Sequence, residues 1–152
     1  MNLTVAVAII IDNQQRLLIT QRPLHVSHGG CWEFPGGKLE ENETSELALI
    51  REVKEEVDLE VHQYQLLGEV NHQYSDKSVT LIVFLVTHFS GEPSCMEGQL
   101  AMKWISLQEL DPKDFPEANQ YVIAMIYRHL IIEGTDDVNC LPLLSALQSP
   151  NH

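Results

Sequence analysis

The feature that most constrains this chain is the segment SELALIREVKEEVD, Ser45 to Asp58. Its period predicts a helix that starts at Thr44, a good N-cap, and ends near Asp58. At about 100° per residue, Leu47, Leu49, Ile50, Val53 and Val57 fall on one apolar arc, the expected core face. Glu52, Glu55 and Glu56 gather on the arc beside it, because they stand three, four and one residues apart. Like charges at that spacing repel by a few tenths of a kcal/mol per pair, on the order of 0.2–0.5. Scattered glutamates usually mark a solvated face. Here the only basic residues of the helix, Arg51 and Lys54, do not stand at the middle of the triplet. A hard divalent cation converts such repulsion into ligation, since Mg²⁺ takes oxygen ligands and often carries substrate phosphates.

Composition narrows what that helix can serve. With 152 residues, 44% of them hydrophobic, the chain can bury one sizeable core but not two of ordinary size. Nine Lys and Arg against a formal charge of −13 argue against a groove for a nucleic acid polymer or binding to an anionic membrane. A polyanionic substrate then needs metal to approach. Cys31, Cys95 and Cys140 form no CxxC pair and leave one over from any disulfide, which predicts reduced thiols and a cytoplasmic setting. Met1 to Ile11 lacks a basic start and Asp12 ends its apolar run, so no secretory leader is expected. No apolar run approaches the length of a membrane span.

Along the chain, Val5–Ile11 and Arg16–Ile19, joined by Asp12-Asn13-Gln14-Gln15, read as a hairpin. A loop rich in turn formers follows, Pro23 to Gly30. Leu66–Val70, Ser78–Val86 and Leu100–Ile105 read as further strands, Ser78–Val86 so continuously apolar that both faces are expected to be buried. Glu117–Ile131 turns helical, with Val122, Ile123, Ile126, Tyr127 and Leu130 at core spacing. Strands with two helices predict an α/β fold of the α+β type, a mixed β-sheet sandwiched between helices. Residues 1–131 form the expected domain, and 132–152 a loose tail or a short appended helix.

Gly37, five residues, Glu43, seven residues, then Arg51-Glu52-Val53-Lys54-Glu55-Glu56 and Leu59 resemble the box of the Nudix hydrolases. Asp58 departs from that pattern, which has glycine after the helix. The flanks GGCWEFPGGKLE and GEPSCMEGQLAMKWISLQELDPKDFPEAN are similar to the MutT branch, whose members hydrolyse oxidised guanine nucleotides. That resemblance spans roughly Met1 to Tyr127. Its most telling part is Phe115-Pro116-Glu117-Ala118-Asn119, because the box is shared by enzymes with many substrates.

The resemblance implies a Mg²⁺-dependent enzyme, with Mn²⁺ able to substitute, that cleaves 8-oxo-dGTP to 8-oxo-dGMP and pyrophosphate and so protects DNA from mutation. It implies Glu52 as general base and ligand, Glu55 and Glu56 as ligands, the Gly36 carbonyl as a further ligand, and Glu97 as the distant acidic ligand. Glu97 is otherwise a solvated loop carboxylate. Arg51 is expected to pair with Glu43 and, with Gly37, to serve structure. Lys38 is assigned to phosphate, though an exposed lysine needs no such task. Arg22, Phe34 and Asn119 are assigned to the base. By position alone Asn119 reads as a cap of the helix that starts near it, and the matched Phe115–Asn119 segment turns the reading to the base. A monomer acting on a small-molecule nucleotide is the expected assembly.

The histidines have neither i,i+4 nor cysteine-paired spacing, which argues against zinc. Trp32 and Trp104 read as core or pocket wall, and Cys31 has no partner pattern of a nucleophile. Two rivals stay open. QRP and GGCWEF are also similar to the branch acting on CTP, dCTP or a broad range of nucleotides. A binding module on the same fold is disfavoured by the survival of all three helix carboxylates.

Overall fold

The computed structural model describes residues 2–133; the expectation for the tail beyond them lies outside the described residues. In chain order the elements are β1 (Asn2–Ile10), β2 (Arg16–Gln21), β3 (Trp32–Glu33), β4 (Gly36–Lys38), α1 (Ser45–Val57), β5 (Glu60–Gln73), β6 (Ser78–Ser90), β7 (Ala101–Ser106) and α2 (Glu117–Tyr127). A π-helical turn, Arg128–Glu133, ends the described chain. One sheet has the order β4-β1-β6-β5 and is mixed, because β1 and β6 run parallel while the other neighbours are antiparallel. A second, antiparallel sheet has the order β3-β2-β7.

The alternation of side chains along β1 explains how the layers separate. Ala6, Ala8 and Ile10 face α1 in a cluster with Leu49, Val53, Val57, Phe84 and Val86. Val7, Ile9 and Ile11 face the other way, into a larger cluster with Val122, Ile123, Ile126 and Tyr127 of α2. Each face of the mixed sheet is therefore covered by one helix. Small Ala6 and Ala8 beneath α1 let that helix lie close to the sheet, which matters for the carboxylates it carries.

Four expectations change, one of them in length alone, since the strand expected at Leu66–Val70 runs as β5 from Glu60 to Gln73. The expected hairpin is not one: β1 and β2 belong to different sheets, and only an isolated bridge joins Ile11 to Leu17. The turn after β1 redirects the chain because Asp12 uses both carboxylate oxygens, Oδ1 on the amides of Gln14 and Arg16 and Oδ2 on the Arg16 side chain. The apolar arc of α1 is also rotated. Ala48 joins Leu49, Val53 and Val57 in the core, while Leu47 and Ile50 stay 59% and 37% exposed. Finally, α2 is shorter than Glu117–Ile131, passing into the π-helical turn at Arg128.

The strand β6 meets its expectation where it matters most, with Val83, Phe84, Leu85 and Val86 all buried at its centre. Among the described residues no helix is long and apolar enough to cross a membrane. Trp104 stacks on Phe89, and Lys103 sits over the Trp32 ring at 4.4 Å, so both tryptophans serve packing.

Candidate active site

Helix α1 begins as its sequence directs. Thr44 is extended, and its hydroxyl accepts from the Leu47 amide at 3.2 Å. The helix ends at Asp58, which is left-handed at φ 60°, ψ 38°. Between these caps, Glu52 and Glu56 project to the same side one turn apart. Gly37 of β4 makes room for Glu52, since a Cβ there would collide with the Glu52 carboxylate. The neighbouring Gly36 amide donates to Glu56 Oε1 at 2.9 Å, tying β4 to the helix.

Arg51 organises the outer side of this arrangement. Its guanidinium grips Glu43 with two bonds, Nε to Oε2 at 2.7 Å and Nη2 to Oε1 at 2.8 Å. Nη1 reaches both Glu52 and Glu55 at 2.8 Å, and Nη2 also donates to the Lys38 carbonyl. The bidentate pair, with the Glu40 amide as a further donor to Glu43, holds the Glu43 carboxyl at about 2. The expected Arg51–Glu43 pair is present. What spacing alone missed is that Arg51 folds back to neutralise part of the triplet, so Glu55 faces a cation and solvent, with its side chain 45% exposed.

Glu97 arrives from the loop before β7. Ligand oxygens of Glu52, Glu56 and Glu97 lie within 4.8 Å of one another, and Glu55 stands outside that group. Burial raises the Glu56 carboxyl to about 8, and Glu33, Glu52 and Glu97 add to the shift against the opposing Gly36 amide. Glu52 is raised as well, first by burial and then by Glu55 and Glu97, against the pull of Arg51. Three carboxylates this close, with the half-buried Glu56 lacking an ion-pair partner among the described residues, fit a hard divalent cation.

Glu56 also lines a cavity of about 360 Å³, with Arg22, Phe34, Gly36, Lys38 and Asn119. Phe34 is buried and stacks on Phe115, ring centroids 5.2 Å apart. Asn119 sits in the first turn of α2, behind Pro116 at the N-cap, so it does not cap this helix. Its side chain has no hydrogen-bond partner among the described residues, and it lines the cavity.

Three residues that the sequence did not single out complete the site. The Glu33 carboxylate, raised chiefly by burial, holds Arg22 Nη1 at 2.9 Å, while Arg22 Nε donates to the Ser27 carbonyl. The Tyr74 hydroxyl accepts from the Ala118 amide at 3.0 Å, taking the place of the cap that Pro116 cannot provide for the helix carrying Asn119. Gln99 bridges the Glu97 loop to the end of α1. Its only sequence signal is its place two residues after Glu97, whereas the Glu33–Arg22 pair depends on how β2 and β3 align.

A model of the NUDIX domain matches residues 6–125. An 8-oxo-dGTP diphosphatase of Proteus vulgaris is 47% identical over 103 residues, 64% of this chain and 92% of that protein. One of Escherichia coli is 39% identical over 126 residues, 83% of this chain and 97% of that protein. A CTP pyrophosphohydrolase of Escherichia coli is 33% identical over 121 residues, 76% and 89% of the two chains. Among solved structures, the MutT NUDIX hydrolase of Burkholderia pseudomallei superposes with a TM-score of 0.76 at 28% identity, over 83% of this chain and 98% of that one. With the carboxylate cluster set on α1 and the matching segment running through both sheets, the chain belongs to the NUDIX domain family.

Proposed function

We propose that this protein is a Mg²⁺-dependent nucleoside triphosphate pyrophosphohydrolase that converts 8-oxo-dGTP to 8-oxo-dGMP and pyrophosphate, with Mn²⁺ able to replace Mg²⁺. The observation that carries the proposal is the sharing of Glu56 between the three-carboxylate cluster and the cavity that Asn119 lines. The two relatives of highest identity quoted above, both 8-oxo-dGTP diphosphatases, support the same choice.

Glu52, Glu55, Glu56 and Glu97, with the Gly36 carbonyl, are the proposed ligands, the cluster of Glu52, Glu56 and Glu97 supporting three of them. With a divalent cation bound there, phosphate oxygens would be neutralised and an attacking water made more acidic. Glu52 takes the proton from that water, a contribution of roughly 10²–10⁴-fold. Its raised carboxyl makes it a stronger base than an exposed glutamate, and Arg51 fixes its orientation. The water oxygen bonds to the β-phosphorus, and the bond from that phosphorus to the bridging oxygen breaks. The bridging oxygen leaves with the nucleoside monophosphate. Lys38, which lines the cavity, is assigned to the phosphates, and Arg22, held by Glu33, is assigned to the base together with the Phe34 backbone.

Asn119 supplies the selectivity. Guanine presents two adjacent acceptors, O6 and N7, whereas 8-oxoguanine carries a proton on N7 and presents an acceptor beside a donor. An amide has one acceptor oxygen and one donor NH₂, so it matches the oxidised edge at both atoms. Against ordinary guanine one of the two always meets its like. Mutation avoidance by clearing the nucleotide pool follows from that preference, in a monomeric cytoplasmic enzyme that needs no nucleic acid polymer. We assign residues 1–131 to the catalytic domain. Hydrolysis of CTP or dCTP is the second reading, favoured by the CTP pyrophosphohydrolase relative.

The test is a panel of 8-oxo-dGTP, dGTP, CTP and dCTP, incubated with and without Mg²⁺ in ¹⁸O-water, with products identified by mass. The proposal requires 8-oxo-dGMP and pyrophosphate, label in the pyrophosphate, and no turnover without metal. Release of inorganic phosphate, or turnover confined to the cytidine nucleotides, overturns it.

A further inference from the structure

We infer that Gln99 is a positioning residue for the metal site, holding the loop so that Glu97 reaches Glu52 and Glu56. The inference rests on the proposed reading of Glu97 as a ligand. Glu97 is exposed and lies far along the chain from the helix glutamates, on a loop with no regular structure. Nothing in the loop's own sequence directs that carboxylate toward two others. Like charge opposes the approach, since the oxygens of the three carboxylates lie within 4.8 Å of one another. Something else must hold it there.

Both ends of one amide do so. Gln99 Nε2 donates to the Glu56 main-chain carbonyl at 2.9 Å, and Gln99 Oε1 accepts from the Glu97 main-chain amide at 2.8 Å. The side chain thus joins the backbones of two of the three cluster residues directly. Gly98, at φ +76°, provides the left-handed turn that folds Gln99 back onto the Glu97 amide. The Glu56 carbonyl is one of those that the end of α1 leaves without a helical partner. It also accepts from the Met96 amide at 3.0 Å, and Val57 accepts from Ser94, so the loop is laced along the end of the helix. Of these links, only Gln99 reaches past Glu97 and holds it from its far side.

If Gln99 acts through Glu97, its loss matters only while Glu97 can bind metal. Mg²⁺ binding to the full chain without nucleotide, measured by calorimetry, reads this directly. Mn²⁺ binding followed by electron paramagnetic resonance gives a second measurement. Gln99→Met keeps the length of the side chain and removes both bonds. It is expected to weaken Mg²⁺ about 10-fold, the lower end of what supporting residues around metal sites contribute. In a Glu97→Gln background the same change is expected to shift the dissociation constant less than about twofold, the mark of two residues acting as a unit. Wild-type affinity in Gln99→Met, wild-type affinity in Glu97→Gln, or an equal weakening in both backgrounds overturns the inference. Should Gln99→Met fail to fold, Gly98→Ala strains the same turn with no atom within 4 Å of the added carbon. It is expected to show the same dependence on Glu97, and independence from Glu97 overturns the inference equally. These readings stand apart from the substrate assignment: normal Mg²⁺ coupling in a protein that ignores 8-oxo-dGTP defeats only the assignment, while a wild type that binds no Mg²⁺ defeats both.

Discussion

At the scale of single residues, Glu52 and Glu56 carry neighbouring carboxyls with different partners. Glu52 is bonded to Arg51 and assigned the proton; Glu56 is tied to the Gly36 amide and meets no cation among the described residues. Glu52→Gln keeps size and hydrogen bonding but removes the proposed base. Turnover is expected to fall by roughly 10²–10⁴-fold, with the melting temperature of the metal-free protein held or raised. A loss below tenfold moves the base elsewhere, with Glu97 first in line. For Glu56 the pH dependence has a definite sign. Its folded carboxyl sits at about 8, above the ordinary 4.5, so the folded state holds its proton more tightly than the unfolded chain. Stability from this group is complete below the unfolded value and is lost as pH rises toward 8. Metal-free protein is therefore expected to melt lower at pH 8 than at pH 5.5, and saturating Mg²⁺ to raise the melting temperature more at pH 8. A Mg²⁺ effect that is larger at pH 5.5 contradicts the assignment of Glu56. Much of this site is legible in the sequence because the carboxylates lie at helical spacing, where geometry follows from residue number. Gln99, Tyr74 and Glu33 were not, since each acts through a main-chain group or a side chain that only the tertiary fold brings near.

At the scale of elements, α1 shows both the strength and the limit of periodicity. The Thr44 cap and the stop at Asp58 follow from side-chain chemistry, yet the face was misjudged because hydrophobicity does not reveal which flank of an apolar arc a sheet will cover. Ala48 lies over the sheet, whereas the larger Leu47 points to solvent. Two substitutions separate the alternatives. Leu49→Ala is expected to cost about 2–5 kcal/mol in denaturant unfolding, as for other buried leucines, and Leu47→Ala no more than about 0.5 kcal/mol. The opposite order contradicts the helix phase. The helix end supplies another test. Asp58 holds a left-handed conformation at a backbone cost relative to glycine of up to about 1 kcal/mol, while its carboxylate meets Lys54 Nζ at 2.9 Å on the surface. An exposed pair of this kind adds little. Asp58→Gly is therefore expected to raise the unfolding midpoint slightly with activity unchanged; a lower midpoint makes the surface pair the larger effect.

At the scale of the whole molecule, the alternation along β1 places α1 and its carboxylates on one face of the mixed sheet and α2 with Asn119 on the other. The cavity reaches groups from both layers, Glu56 from α1 and Asn119 from α2, with β4 between them supplying Gly36 and Lys38. In the proposed reading, chemistry and selectivity thus come from different layers. That separation could not be read from a hairpin pattern, because the split of β1 and β2 between two sheets depends on pairings with β6 and β7 much later in the chain. On the proposed reading, a change at Asn119 is therefore expected to remove selectivity without disturbing the carboxylate cluster. The decisive measurement is the ratio of kcat/KM for 8-oxo-dGTP to that for dGTP, in the wild type and in Asn119→Ala. A site that leaves buried polar groups unpaired against the wrong base discriminates by about 10⁴-fold. The wild-type ratio is expected to be of that order, and Asn119→Ala to lower it steeply by losing activity on 8-oxo-dGTP while activity on dGTP and the melting temperature hold. A wild-type ratio near one, or equal losses on both nucleotides, contradicts the account.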